Sequence, residues 1–297
     1  MLNEQDDWKT LNQQGLFPGP EESKEEFIKR ANFCQNLLAE LSQRVDQPLP
    51  FDFTDTATNH VTHEAMHFSN KIFGITPDWI PIFFSNYKLS SWHGGCAWIF
   101  QLDERTPTSA FIQLRKNFKT KSWYLGIYSR KELITHELAH VGRMLYQEPK
   151  FEEVLAYRSA DSKWRRFFGP LIQSSKESLF FIILLAVVLL ISLASLSADA
   201  PLISSLSLGI FILPFFIALL AFLRLTNRQW QFENCLKNLE KIYKHPQLAN
   251  HLIYRLTDKE ILLFAKMNSS EISPYIEAQS LVSFRWQFLY ANYSSSL

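Results

Sequence analysis

The chain has 297 residues, enough for one large domain or two modest ones, and its 30 Lys and Arg against 29 Asp and Glu give a formal net charge of +1. That balance offers no electrostatic case for a nucleic-acid partner, which needs a basic surplus or stripe. Cys34, Cys96 and Cys235 are odd in number and far apart, which argues against a disulfide framework and fits a reducing compartment.

The first residues, Met1-Leu2-Asn3-Glu4-Gln5-Asp6-Asp7, have neither the basic region nor the apolar stretch of a signal peptide. Residues 1–50 read as a polar N-terminal helical segment, with a helix-compatible pattern from Glu22 to Leu41. A second helix is expected over about Asp55 to Phe73, stopped by Gly74. Three runs of strand character follow, Ala97–Leu102, Ala110–Leu114 and Trp123–Tyr128, separated by turn-forming or charged residues as a small sheet requires. Ser129 and Glu132 then form an S-x-x-E capping box, and apolar residues recur at Leu133, Ile134, Leu138, Val141 and Leu145. Pro149 is expected to end that helix. A further amphipathic helix is expected from about Lys150 to Phe168.

Two charge-free stretches come next, Ser178–Ala198 and Ala200–Leu223, each longer than the roughly 20 residues a helix needs to cross a bilayer. They predict a transmembrane hairpin over 176–224, with spans of about 178–198 and 201–223 joined by Ser197-Ala198-Asp199-Ala200. Pro201 suits the first turn of the second span, and Pro214 is expected to kink it. Arg158, Lys163, Arg165, Arg166 and Lys176 precede the hairpin; Arg224, Arg228, Lys237, Lys241 and Lys244 follow it. The positive-inside rule therefore puts both flanking segments, and both termini, in the cytoplasm. The expectation is an integral membrane protein, of a bacterial inner membrane, with the lipid bilayer as one partner. Residues 225–297 read as a C-terminal cytoplasmic region of short helices without recognisable site chemistry.

The chemistry concentrates in His136-Glu137-Leu138-Ala139-His140. Two histidines four apart on a helix point the same way and can reach one ion, while Glu137 lies where it can take a proton from water on that ion. Zn²⁺ is the expected metal, with Glu137 catalytic. A third ligand is sought in Phe151-Glu152-Glu153-Val154-Leu155-Ala156-Tyr157. Glu153 would share a face with Ala156, Ala160 and Trp164, and is preferred over Glu152, which looks peripheral beside Leu155 and Lys163; Asp161 is an outside candidate. Tyr128, Tyr157, Arg158 and His93 are all open as stabilisers of an oxyanion.

A second copy of the spelling, His63-Glu64-Ala65-Met66-His67, with His60 on the same side, lacks preceding strands and has no further glutamate until Glu104. It reads as a supporting helix. His93-Gly94-Gly95-Cys96 reads as the start of a strand with a packed thiol, in preference to a Cys-His nucleophile pair. No phosphate loop, dinucleotide fingerprint or G-x-S-x-G elbow is present.

In its order of sheet, HELAH helix, turn and glutamate helix, the chain resembles the gluzincin branch of the zincin metallopeptidases over about residues 90–165. Its membrane setting is similar to the integral-membrane members related to the prenyl-processing and heat-shock proteases. The resemblance implies an α+β zincin-like catalytic domain over 51–172, with His136, His140 and Glu153 on zinc. It also implies hydrolysis of a peptide bond in a protein or peptide substrate by zinc-activated water. Tyr157 stands where that family often carries an acidic partner. The hairpin alone also looks like that of the inclusion-membrane proteins of obligate intracellular bacteria. That alternative is a non-enzymatic membrane protein presenting cytoplasmic interaction domains.

Overall fold

The computed structural model describes residues 4–43, 56–197, 201–243 and 245–294. Helix α1 (Glu4–Gln13) leads to α2 (Lys24–Gln35), which Ser23 and Glu26 open with a reciprocal capping box. The chain breaks at Asn36 before α3 (Leu37–Gln43), so the helix expected from Glu22 to Leu41 is two helices. Helix α4 (Asn59–Phe73) ends at Gly74, whose φ of 68° makes the left-handed cap that glycine adopts without a Cβ penalty. The start expected for it at Asp55 lies outside the described residues.

Strands β1 (Ile82–Phe84), β2 (Gly95–Phe100) and β3 (Ser109–Leu114) form a sheet in the order β1-β3-β2. β1 runs parallel to β3 and β2 antiparallel to it, which leaves β2 at an edge. β2 and β3 are two of the expected strands. β1 is invisible to pattern reading: it is three residues long, follows Pro81 and is buried throughout, so it has no alternation. The third expected strand folds back on itself instead. β4 (Trp123–Tyr124) and β5 (Tyr128–Ser129) form a separate hairpin, because Leu125 and Gly126 take φ of 52° and 68° and reverse the chain.

Helix α5 (Arg130–Gly142) carries His136 and His140. Its cap is half of the expected box: the Ser129 hydroxyl accepts from the Glu132 N–H at 3.1 Å, but the Glu132 carboxylate accepts from Arg165 at 3.0 Å. α5 ends at Gly142, seven residues short of Pro149, and Pro149 opens α6 (Pro149–Ala156) at a position where its missing N–H has no helical partner to lose. The long helix expected over Lys150–Phe168 is likewise two. A 3₁₀ turn at Tyr157–Ser159 and extended Ala160 separate α6 from α7 (Lys163–Phe168), at Asp161 and Ser162, residue types whose side chains compete with helical hydrogen bonds.

Helices α8 (Ser175–Ser197) and α9 (Pro201–Ile242) are long and apolar enough to cross a membrane, with mean hydropathies of 2.7 and 2.1 over their candidate spans. They pack together, and Arg224 of α9 donates to both oxygens of Glu177 at 2.7 and 2.9 Å. The residues 198–200 expected to form the connecting turn lie outside those described. Pro214 falls inside α9. α9 does not stop at Leu223; its 42 residues rise about 63 Å, roughly twice a bilayer's hydrocarbon thickness. Its second half buries Leu225, Phe232, Cys235, Leu236 and Leu239 in the protein.

Helices α10 (Pro246–Ile253), α11 (Asp258–Phe264) and α12 (Ser269–Ser280) close on that half, and α13 (Phe284–Tyr293) packs on α12 and α1. One apolar cluster runs from Trp8, Phe17 and Phe27 through Phe151 and Leu155 to Phe232, Phe264 and Phe288. A second packs Ile112 and Leu114 of β3 against Ile134, Leu138 and Val141 of α5. The sheet thus fixes the inner face of α5, and the histidines stand on the side that meets α6.

Candidate metal centre

On α5, His136 and His140 are one turn apart, and their Nε2 atoms lie 3.2 Å from each other. Glu153 of α6 places Oε2 3.7 Å from His136 Nε2 and Oε1 3.7 Å from His140 Nε2. One ligand atom from each residue lies within 4.8 Å of the others, a group that could hold a metal ion. Among the described residues it is the one group of three such ligands that converges.

The outward nitrogens explain why these rings are aimed. His140 Nδ1 faces Glu152 Oε1 at 3.0 Å, which leaves Nε2 directed at His136 and Glu153. His136 is held by a hydrogen bond to the Ala156 backbone. Helix α6 therefore supplies Glu153 and also the two groups that orient the histidines. Glu152, expected to be peripheral, is the orienting carboxylate, because α6 turns its neighbouring residue and not Glu152 toward both Nε2 atoms. Asp161 is half-exposed and pairs with Lys131 at 3.1 Å, away from the group. Trp164 lies on α7, so the face imagined for one continuous helix does not form.

The C-terminal region, expected to be silent, builds the support for α6. Asp258 accepts from the N–H groups of Lys150 and Phe151 at 2.9 and 3.2 Å, capping α6 from 107 residues further along the chain, and Glu148 accepts from the Asp258 N–H at 2.6 Å. Arg143 donates through Nε to Glu152 Oε2 at 2.9 Å and through Nη1 to the carbonyls of Tyr254 and Leu256. Arg228 of α9 reaches the Lys150 carbonyl at 3.2 Å, joining the second apolar helix to the same element.

Glu137 accepts from the Ala97 N–H of edge strand β2 at 2.7 Å. It lines a cleft of about 150 Å³ with His136. His93, Tyr128, Tyr157 and Arg165 complete the wall. The Tyr157 ring packs edge-on against His136 at 4.8 Å, with Gly169 against its other side so closely that a Cβ there would collide with the ring. Of the four oxyanion candidates, Arg158 is directed elsewhere, to Glu233 and Asn250. Arg165 is a cleft residue that pattern reading missed.

Burial pushes His136 well below the usual histidine range, and the charge on His140 adds to this. Burial opposes the charge on His140 too, but Glu152, then Glu153 and Glu137, outweigh it and hold the ring up to about 9. Burial raises Glu137 and Glu153. The metal-free protein therefore has a neutral His136 and a cationic His140 at pH 7, and an ion must displace the His140 proton. Apparent metal affinity should rise about tenfold per pH unit from 7 toward 9 and then flatten, with close to one proton released per ion at pH 7.5. The raised value also sets the sign for the metal-free fold: this stabilisation is complete below pH 6.5 and lost as pH rises through 9. Calorimetry in two buffers of different ionisation enthalpy reads the proton directly; binding without proton release would exclude this charge state.

The duplicate spelling has none of this. On α4, His60, His63, Glu64 and His67 are exposed, and buried Ala65 offers its carbonyl to the Thr135 hydroxyl of α5 at 3.3 Å. Cys96 packs against Gln113 at 3.7 Å, and burial, with Glu137 adding to it, pushes its thiol up to about 11, the opposite of an activated nucleophile.

No family model, curated protein or solved structure matches this chain.

Proposed function

We propose that the chain is a membrane-anchored zinc-dependent metallopeptidase, with His136, His140 and Glu153 as metal ligands and Glu137 as general base. One observation carries this reading: two imidazole Nε2 atoms and a carboxylate converge beside a cleft whose wall includes Glu137. Two imidazoles and one carboxylate are a donor set suited to zinc, and three protein ligands leave a position open. Zinc held there would supply Lewis-acid polarisation and make water acidic near neutral pH. Glu137, one oxygen fixed by Ala97, takes the proton of the attacking water and returns it to the leaving amine. Edge strand β2 gives an extended peptide a backbone to pair with beside that carboxylate. Helices α8 and α9 hold this machinery at a membrane, and the cations flanking them support a cytoplasmic placement.

The test is zinc content together with peptide-bond cleavage. Purified protein should carry one zinc per chain, and His136→Ala or His140→Ala should lose it while the fold persists. A chain that purifies folded without metal, cleaves nothing on adding zinc and retains a protein partner would instead be a membrane protein that presents interaction domains.

A further inference from the structure

The β4–β5 hairpin presents to solvent what a hairpin in water ordinarily hides. Trp123, Leu125 and Ile127 are 55%, 58% and 52% exposed around a tight turn. Turns of this kind in water favour Asn-Gly, whose first residue accepts positive φ readily. Here Leu125 holds φ of 52°, a conformation that costs a non-glycine residue about 1 kcal/mol or more, and gains no apolar cover within the protein. Gly126 at φ 68° completes the turn.

The hairpin is tied to the apolar helices by a short chain of contacts. Arg165 of α7 donates to the Ile127 carbonyl at 2.8 Å. Its neighbour Trp164, 69% exposed, lies 4.0 Å from the Phe168 ring, which stacks on Phe222 of α9 at 6.2 Å. Trp164 thus sits where interfacial tryptophans gather, one residue from the group that grips the hairpin tip. Charge agrees. Between Glu104 and Glu132 the chain carries seven Lys and Arg and no acidic residue, and Lys116, Lys119 and Lys121 beside the hairpin are exposed. An apolar tip within a basic patch matches an anionic bilayer surface.

We propose that the β4–β5 hairpin is a membrane-docking element, its turn entering the interface of an anionic bilayer beside Trp164. Because β5 supplies Tyr128 and Ser129 to the wall of the His136 cleft, docking sets the mouth of that cleft against the membrane surface. The proposal rests on α8 and α9 being inserted in that membrane; it does not depend on the metal chemistry.

The test uses the full chain with Cys96→Ser, reconstituted in vesicles of phosphatidylcholine and phosphatidylglycerol. An environment-sensitive fluorophore is placed at Leu125→Cys, at Leu185→Cys in α8, or at exposed Glu25→Cys. The label at 125 should emit to the blue of that at 25, lose quenching by iodide, and gain quenching by acyl-brominated phosphatidylcholine. Quenching by bromine at 185 but not at 125, with iodide reaching 125 as freely as 25, overturns the docking and leaves the anchor standing. A tip shielded from both quenchers is covered by protein, a second copy or another chain, and overturns it as well. No bromine quenching at 185 overturns the membrane reading itself. In vesicles of phosphatidylcholine alone the quenching at 125 should weaken; equal quenching there overturns the role given to the lysines.

Discussion

Glu137→Gln should leave the metal bound and lower peptide hydrolysis about 10²–10⁴-fold, the usual contribution of a general base. Glutamine keeps the size of the side chain and an oxygen able to accept from the Ala97 N–H, so β2 and α5 should hold their contact. What it cannot do is take up a proton. Burial already raises the Glu137 carboxyl above the ordinary carboxylate range, with the His140 charge working against that shift, and a base raised toward neutrality is better matched to its task. The measurement pairs zinc stoichiometry with cleavage of casein at saturating zinc. A variant that keeps its zinc and cleaves like the parent would remove Glu137 from the chemistry and with it the peptidase mechanism proposed for this site.

The converging side chains and their supports differ in how far the sequence reveals them. His136 and His140 are legible because helical periodicity is local: four residues apart means one face, whatever the rest of the chain does. Glu153 is reachable for a similar reason, although the helix expected over Lys150–Phe168 breaks at Ala160. Glu153 lies in the part of that helix that does form, facing the Nε2 atoms of both histidines. Glu152 was misjudged on the same reasoning, since its partners are not on its own helix. They are His140 on α5 and Arg143 just past its end, and Arg143 is held by carbonyls 111 and 113 residues away. No spacing rule reaches such contacts. Asp258 capping α6 across 107 residues is hidden in the same way. The long apolar runs of α8 and α9 are plain, but the point where α9 leaves the apolar stretch is not a helix end: no glycine or proline follows Leu223 until Pro246, and Arg224, Leu225 and Arg228 favour a helix. β1 and the β4–β5 turn were lost for opposite causes, one too short and too buried to alternate, the other governed by two residues at positive φ.

Arg143→Met should destabilise the metal-free protein by about 3–5 kcal/mol, the cost typical of removing one partner from a buried ion pair. The Arg143 side chain is fully buried, stacks over Tyr146 at 4.2 Å and satisfies one carboxylate oxygen and two backbone carbonyls. Methionine fills the stem but strands all three acceptors. Denaturant titration of the metal-free chain reads the loss, and zinc titration should show affinity about 10–100-fold weaker, because the freed Glu152 no longer holds His140 in one orientation. The double variant Arg143→Met with Glu152→Leu separates the two effects. With both charges gone the part of the loss due to the unpaired carboxylate should return, while the part due to the two stranded carbonyls should remain. Zinc affinity should not return, since His140 Nδ1 then has no carboxylate to fix it. If Glu152→Leu alone binds zinc as tightly as the parent, Glu152 only props the fold, and the geometry that aims His140 at the ion must come from elsewhere on α5.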